Sequence, residues 1–134
     1  MPDKFQLTVV TPERTVLDAQ VVSVMAPGGD GYFGVLAHHA PMLAEVGVGR
    51  LTATDEADSV TVMAVSGGFA EVRNNTMTVL ADSAELRHDI DVARAEEALK
   101  RARLRLGERS ADIDISRAEA ALSRALNRVD TARR

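Results

Sequence analysis

Gly29-Asp30-Gly31-Tyr32-Phe33-Gly34 reproduces the G-x-G-x-x-G spacing by which a glycine-rich turn brings backbone amides against a pyrophosphate. That chemistry requires a helix to open directly behind the loop, so that its N-terminus faces the phosphates. Here Val35-Leu36-Ala37-His38-His39-Ala40-Pro41 follows, a poor helix start, and the segment reads as a glycine-rich connection between strands. His38 and His39 would point to opposite faces of a strand and so would not share a metal ion. His88 is distant, and no H-E-x-x-H pair exists. Ser66 lacks a Gly-x-Ser-x-Gly frame, and no phosphate-loop lysine is present. With no cysteine in the chain, thiolate zinc, cysteine nucleophiles and disulfides are all excluded. The residues therefore argue against an enzyme: no catalytic group and no metal ligand is expected.

The arginines carry a sharper possibility. Ile90-Asp91-Val92-Ala93-Arg94-Ala95 opens a helical pattern, and a second helical pattern runs antiparallel to it. Reflecting the pair about a loop midpoint near residue 110 sets Arg94 level with about residue 126. Arg124 and Arg128, one turn apart on one face, would then flank Arg94, with Glu85 and Asp91 nearby. Rigid guanidinium forks suit phosphate. The same Ile-Asp-x-x-Arg-Ala string recurs at Ile113–Ala118, where it only begins a helix, so spacing alone leaves both an anion site and a plain helix start open.

The elements that would hold these residues are legible from periodicity. The 134 residues, 46% of them hydrophobic, suffice for one modest domain with an appendage. Phe5, Phe33, Phe69 and Tyr32 are the only aromatics, so the core must rest on Val, Leu, Ile, Met and Ala. Up to residue 87 the pattern is short and alternating. Phe5, Leu7 and Val9 form a strand ended by Pro12, and Val21–Met25 a second, closed by Pro27-Gly28-Gly29. Tyr32–Leu36 follows. Arg50–Thr54 and Val60–Ser66 flank a polar turn, while Phe69–Arg73 and Thr76–Leu80 flank Asn74-Asn75, a pair that tolerates positive φ. The prediction is an antiparallel sandwich or barrel over residues 1–87. From residue 88 the period turns helical, with Val92, Ala95, Leu99, Ala102 and Leu106 in one stripe and Ile115, Ala118, Leu122, Ala125 and Val129 in another. Residues 89–99 and 112–122 are identical at 8 of 11 positions. In each copy an aspartate, Asp91 or Asp114, stands as N-cap, and an isoleucine, Ile90 or Ile113, precedes it as a staple. The stripes are alanine-rich, and at roughly 25 cal/mol per Å² they stabilise weakly, so the two-helix hairpin of residues 88–134 is expected to be marginal unless docked. Residues 1–89 carry 5 basic and 12 acidic side chains and residues 90–134 carry 11 and 8, a basic tail on an acidic body. No run is long and apolar enough to span a membrane, and Met1-Pro2-Asp3-Lys4 lacks the apolar core of a signal peptide.

Three further strings carry a resemblance. Gly31-Tyr32-Phe33-Gly34-Val35-Leu36 with His39-Ala40-Pro41, then Gly67-Gly68-Phe69-Ala70-Glu71-Val72, then Met77–Glu85 closely resemble the epsilon subunit of bacterial and chloroplast F-type ATP synthase. The likeness runs in order along nearly the whole chain. It implies an α+β fold: a flattened antiparallel β-sandwich of about ten strands, then a two-helix hairpin. It also implies a non-catalytic rotor subunit that binds gamma, rests on the ring of c subunits and couples the two during proton-driven ATP synthesis. Its place would be peripheral, on the cytoplasmic face of a bacterial plasma membrane. The matching ring-facing positions are Asp30, Gly31, Tyr32, His39, Ala40, Pro41 and Met42. The hairpin would fold against the sandwich, or extend to the beta and alpha subunits of the catalytic head and inhibit ATP hydrolysis. Some relatives bind regulatory ATP in the folded-down hairpin, and the matching positions are Glu85, Ile90, Asp91, Arg94, Ala95, Arg124 and Arg128; no cofactor is required. Two other classes compete with this reading: a free-standing sandwich module with a coiled-coil tail, and a small nucleotide-binding enzyme that would need a helix after Gly34.

Overall fold

The computed structural model describes residues 2–108 and 114–133. Eight strands come first: β1 (Phe5–Val10), β2 (Thr15–Val21), β3 (Ser23–Pro27), β4 (Tyr32–Leu36), β5 (Met42–Glu45), β6 (Val48–Thr54), β7 (Val60–Arg73) and β8 (Thr76–Leu86). A 3₁₀ turn, Arg87–Asp89, leads into α1 (Val92–Gly107), and α2 (Ile115–Arg133) follows. The strands form one hydrogen-bonded sheet ordered β2-β1-β8-β7-β6-β3-β4, with β5 also paired to β7. All pairings are antiparallel except β1 with β8.

This single sheet folds over on itself. The first half of β7 pairs with β6 and its second half, from Phe69, with β5. β8 likewise adds β1 along Thr76–Leu80 and then continues beside the first half of β7. Each half of the sandwich therefore contains five strand segments, and the two longest strands contribute to both. The expectation of about ten strands counts these segments; the continuous strands number eight. The bend falls where the glycines are. Gly67 and Gly68 have φ of +70° and +109°, a region that side chains with a Cβ rarely adopt. A Cβ on Gly68 would collide with the carbonyl oxygen of Leu80. The sequence pattern splits β7 at this pair, but the ladder to β8 resumes in the same register beyond it.

The core lies between the halves. Leu7, Val9, Met77 and Val79 from one half meet Leu51, Met63, Val65, Val24 and Val35 from the other, all buried. The Val21–Met25 segment, expected as one strand, turns a corner at Val22, so Val21 ends β2 and Ser23 begins β3. Asn74 and Asn75 take φ of +52° and +57° in the β7–β8 turn, as their types allow. No helix follows Gly34: Tyr32–Leu36 is strand β4, which removes the dinucleotide-loop reading.

Both helix starts follow from the repeat. Asp91 accepts a hydrogen bond from the Arg94 amide at 3.1 Å, and Asp114 one from the Arg117 amide at 3.0 Å. Ile90 is buried between hairpin and sheet, whereas the matching Ile113 lies outside the described residues. The hairpin docks on the outer face of the second half. Within β7 the consecutive residues Met63, Ala64 and Val65 are all buried; Met63 and Val65 enter the sandwich core, and Ala64 joins Ile90, Ala95, Leu99, Ala125 and Val129 in a second cluster. Of these six residues only Ala64 belongs to the sheet, so the apolar contact across this interface is thin.

Candidate functional site

α2 contacts β6 and β7, while α1 packs chiefly on α2. A cavity of about 470 Å³ opens between them and the sheet, lined by Ser66, Ser83 and Glu85 from the strands and by alanines and arginines from the helices. The arginines are Arg101 and Arg105 of α1 and Arg124 and Arg128 of α2. Their positions follow from helical spacing. Residues 98, 101 and 105 share a stripe, as do 121, 124 and 128, so alanines face inward beside each guanidinium. Ala98, Ala102, Ala118, Ala121 and Ala125 keep the helices close and leave the space that larger residues would fill. Arg128 donates from Nε to Glu85 Oε1 at 2.6 Å and from a terminal nitrogen to Oε2 at 3.2 Å. This two-pronged pair, partly buried on both sides, orients Arg128 toward the cavity floor.

The register of the hairpin departs from the reflection about residue 110. Arg133 pairs with Glu96, and Leu99 shares a cleft with Val129 and Arg133. Arg94 is thus level with the end of α2, beyond Arg128. It lies on the stripe of Ala98, Arg101 and Arg105, but it is exposed and is not among the residues that line the cavity. Glu85, Arg124 and Arg128 all line the cavity. Asp91 caps α1, and Ile90 and Ala95 are buried in the packing of the hairpin. The helices slide because their alanine seams set the register, which a symmetric loop does not. Arg101 and Arg105 were missed although their spacing from Arg94 could have shown them. Asn127 was missed for want of any local signal: its Nδ2 donates to the carbonyls of Gly49 at 2.8 Å and Val65 at 3.3 Å, partners far away in the chain.

The positions matched to a ring contact divide between two turns. Asp30 and Gly31 lie between β3 and β4, and His39, Ala40 and Pro41 between β4 and β5, so the five residues of β4, about 13 Å of strand, separate them. Asp30, Gly31, Ala40 and Pro41 are exposed, while His39 and Met42 are half-buried. Tyr32 is more than half exposed, yet its hydroxyl accepts the Arg50 amide on β6 at 3.0 Å. His38 has φ of +63° and sits in the second turn. Its Nε2 lies 3.0 Å from Asp3 and its amide donates to Asn75 Oδ1 at 2.8 Å, while His39 Nδ1 lies 2.7 Å from the Ala40 carbonyl. Both rings are thus engaged within the chain. Among the described residues no cluster of histidine and carboxylate could hold a metal ion, and no helix is long and apolar enough to cross a membrane.

Family models match the chain in two consecutive parts: the ATP synthase delta/epsilon chain beta-sandwich domain over residues 4–87 and the delta/epsilon chain long alpha-helix domain over residues 88–133. The chain belongs to the ATP synthase epsilon-chain family. It is similar to the ATP synthase epsilon chain of Carboxydothermus hydrogenoformans, 49% identical over 110 residues that cover 82% of this chain and 81% of the relative. With that of Desulforamulus reducens it is 44% identical over 127 residues, 95% and 96% of the two chains. Among solved structures, a chain of the Euglena gracilis mitochondrial ATP synthase assembly of OSCP, F1 and c-ring superposes with a TM-score of 0.84 at 24% identity, covering 100% of this chain and 84% of that one. This likeness shows the fold. An epsilon chain is a subunit of the synthase and is not itself catalytic.

Proposed function

We propose that this epsilon chain is a rotor subunit of the central stalk of an F-type ATP synthase, at the cytoplasmic face of a bacterial plasma membrane, and that its helical hairpin is a mobile brake on ATP hydrolysis. The sandwich binds gamma and rests on the c ring through its exposed turns at Asp30-Gly31 and His39-Ala40-Pro41, coupling ring rotation to the catalytic head. The hairpin alternates between the docked position and one extended to the beta and alpha subunits. The observation that carries this reading is the thinness of the apolar docking contact, to which the sheet gives one buried alanine, Ala64. Polar contacts that exchange readily with water, among them Asn127 on two carbonyls and Arg128 on Glu85, accompany it. Elements that move belong to the low-stability end of a structure. Deleting residues 88–134 should raise ATP hydrolysis by the assembled enzyme with assembly retained; unchanged hydrolysis would refute the braking role.

The docked hairpin, in this proposal, also binds ATP as a regulatory ligand. A cavity of about 470 Å³ falls within the range of small-molecule sites, and its four guanidiniums fit a polyphosphate better than any neutral ligand. Ligand bound only to the docked form would hold it there by mass action. Calorimetric titration of the subunit with ATP checks this. Binding should weaken about tenfold or more in Arg124→Ala, which deletes a charge-assisted donor fork, and absence of heat at millimolar ATP would remove the claim.

A further inference from the structure

We infer that the β3–β4 turn is coupled to hairpin docking through a hydrogen-bond relay of three groups: Tyr32, the peptide between Gly49 and Arg50, and Asn127. This inference rests on the reading above that the hairpin leaves the sandwich.

The two ends of one peptide unit carry the argument. The Tyr32 hydroxyl accepts the N–H of Arg50 at 3.0 Å, and Asn127 Nδ2 donates to the C=O of Gly49 at 2.8 Å. Those N–H and C=O groups belong to the same planar amide, so they cannot tilt independently. The local sequence creates the opening for Tyr32. β3 pairs with β6 from Ser23 to Met25 and then leaves it, and the carbonyl of Pro27, at the end of β3, accepts the Gly47 amide at 3.0 Å and not that of Arg50. Tyr32, opposite Pro27 in the β3–β4 pairing, reaches β6 instead. Gly49 leaves the space: a Cβ there would lie 2.6 Å from the Tyr32 hydroxyl and 2.7 Å from Pro27. On the helix side, Asn127 Nδ2 also reaches the Val65 carbonyl at 3.3 Å. Two carbonyls that only accept fix the direction of the amide, and the hydroxyl of fully buried Thr131 lies 3.5 Å from Asn127 Oδ1. Asn127 thus grips β6 and β7 at once, and only in the docked state. Tyr32 holds the amide in place from the opposite end, and hydrogen bonds in series polarise one another. Any contact that draws Tyr32 away from Arg50 loosens the seat of Asn127, so the turn carrying Asp30 and Gly31 biases the hairpin without touching it.

Native-state hydrogen exchange of the full-length subunit tests this, reading α2 amides against the β1 amides of Leu7 and Val9 in the wild type, Tyr32→Phe, Asn127→Asp and the double variant. Phe keeps the ring and removes only the hydroxyl, whereas Asp keeps the shape of Asn127 and removes its donor. Neighbours sharing one hydrogen-bond network couple measurably, so Tyr32→Phe should raise α2 opening about twofold or more with β1 unchanged, and this increment should vanish in the Asn127→Asp background. Separate α2 opening that Tyr32→Phe leaves unmoved, or equal increments in both backgrounds, overturns the relay alone. Exchange of α2 only together with β1 overturns the mobile hairpin and the relay with it.

Discussion

Gly68→Ala should damage the sandwich severely, while Gly34→Ala should leave it intact. Gly68 sits at φ +109°, a conformation that costs an L residue about 1–3 kcal/mol. The new Cβ would also overlap the Leu80 carbonyl, with the Cα of Ala81 only 2.9 Å away. These are backbone atoms of a paired strand and cannot swing aside as a side-chain tip would. Relief requires β7 and β8 to part near the Phe69–Leu80 and Gly68–Ala81 pairs, losing one or two ladder hydrogen bonds at about 1 kcal/mol each. Strain and lost bonds together come to about 3 kcal/mol or more, a large share of the roughly 5–15 kcal/mol that separates a domain from its unfolded state. Gly34 is the control. It lies in edge strand β4, and a Cβ there would meet the Met25 side chain at 3.8 Å, an ordinary contact. In urea, with a slope of about 1–3 kcal/mol per M, the Gly68→Ala midpoint should fall by at least about 1 M, and that of Gly34→Ala should stay within a few tenths of the wild type. A Gly68→Ala protein within about 1 kcal/mol of the wild type, or a Gly34→Ala protein equally damaged, would refute the claim that the bend depends on glycine at this position.

Val129→Ala should loosen the docked hairpin, since Val129 is buried in the cluster that joins it to Ala64; about 1–2 kcal/mol of lost packing should appear as an about tenfold rise in α2 exchange, with the urea midpoint of the sandwich strands unchanged. Asp91→Ala removes the side chain that caps the Arg94 amide and should cost about 1 kcal/mol, read as a lower melting point by circular dichroism at 222 nm. Asp91→Asn, which keeps an acceptor, should recover most of that loss.

The sequence contained the fold class because the two periods it uses are local. Alternation in Phe5–Val9 and the positive-φ pair Asn74-Asn75 specify strands and a turn with no knowledge of distant partners, and the aspartates of the repeat specify where each helix begins. The exclusion of catalytic chemistry was equally legible, since it rests on residue types and spacings. Three features depended on packing. β7 runs through Gly67-Gly68 because β8 keeps its register on the far side of the bend, which no local signal announces. The level of Arg94 against α2 was set by which alanines face one another, so Arg101 and Arg105, not Arg94, line the cavity with Arg124 and Arg128. Asn127, on a helix face between two arginines, acquired its role from carbonyls of β6 and β7. Patterns of period two or 3.6 are written into neighbouring residues, whereas the distance between side chains remote in the chain exists only once the elements have packed.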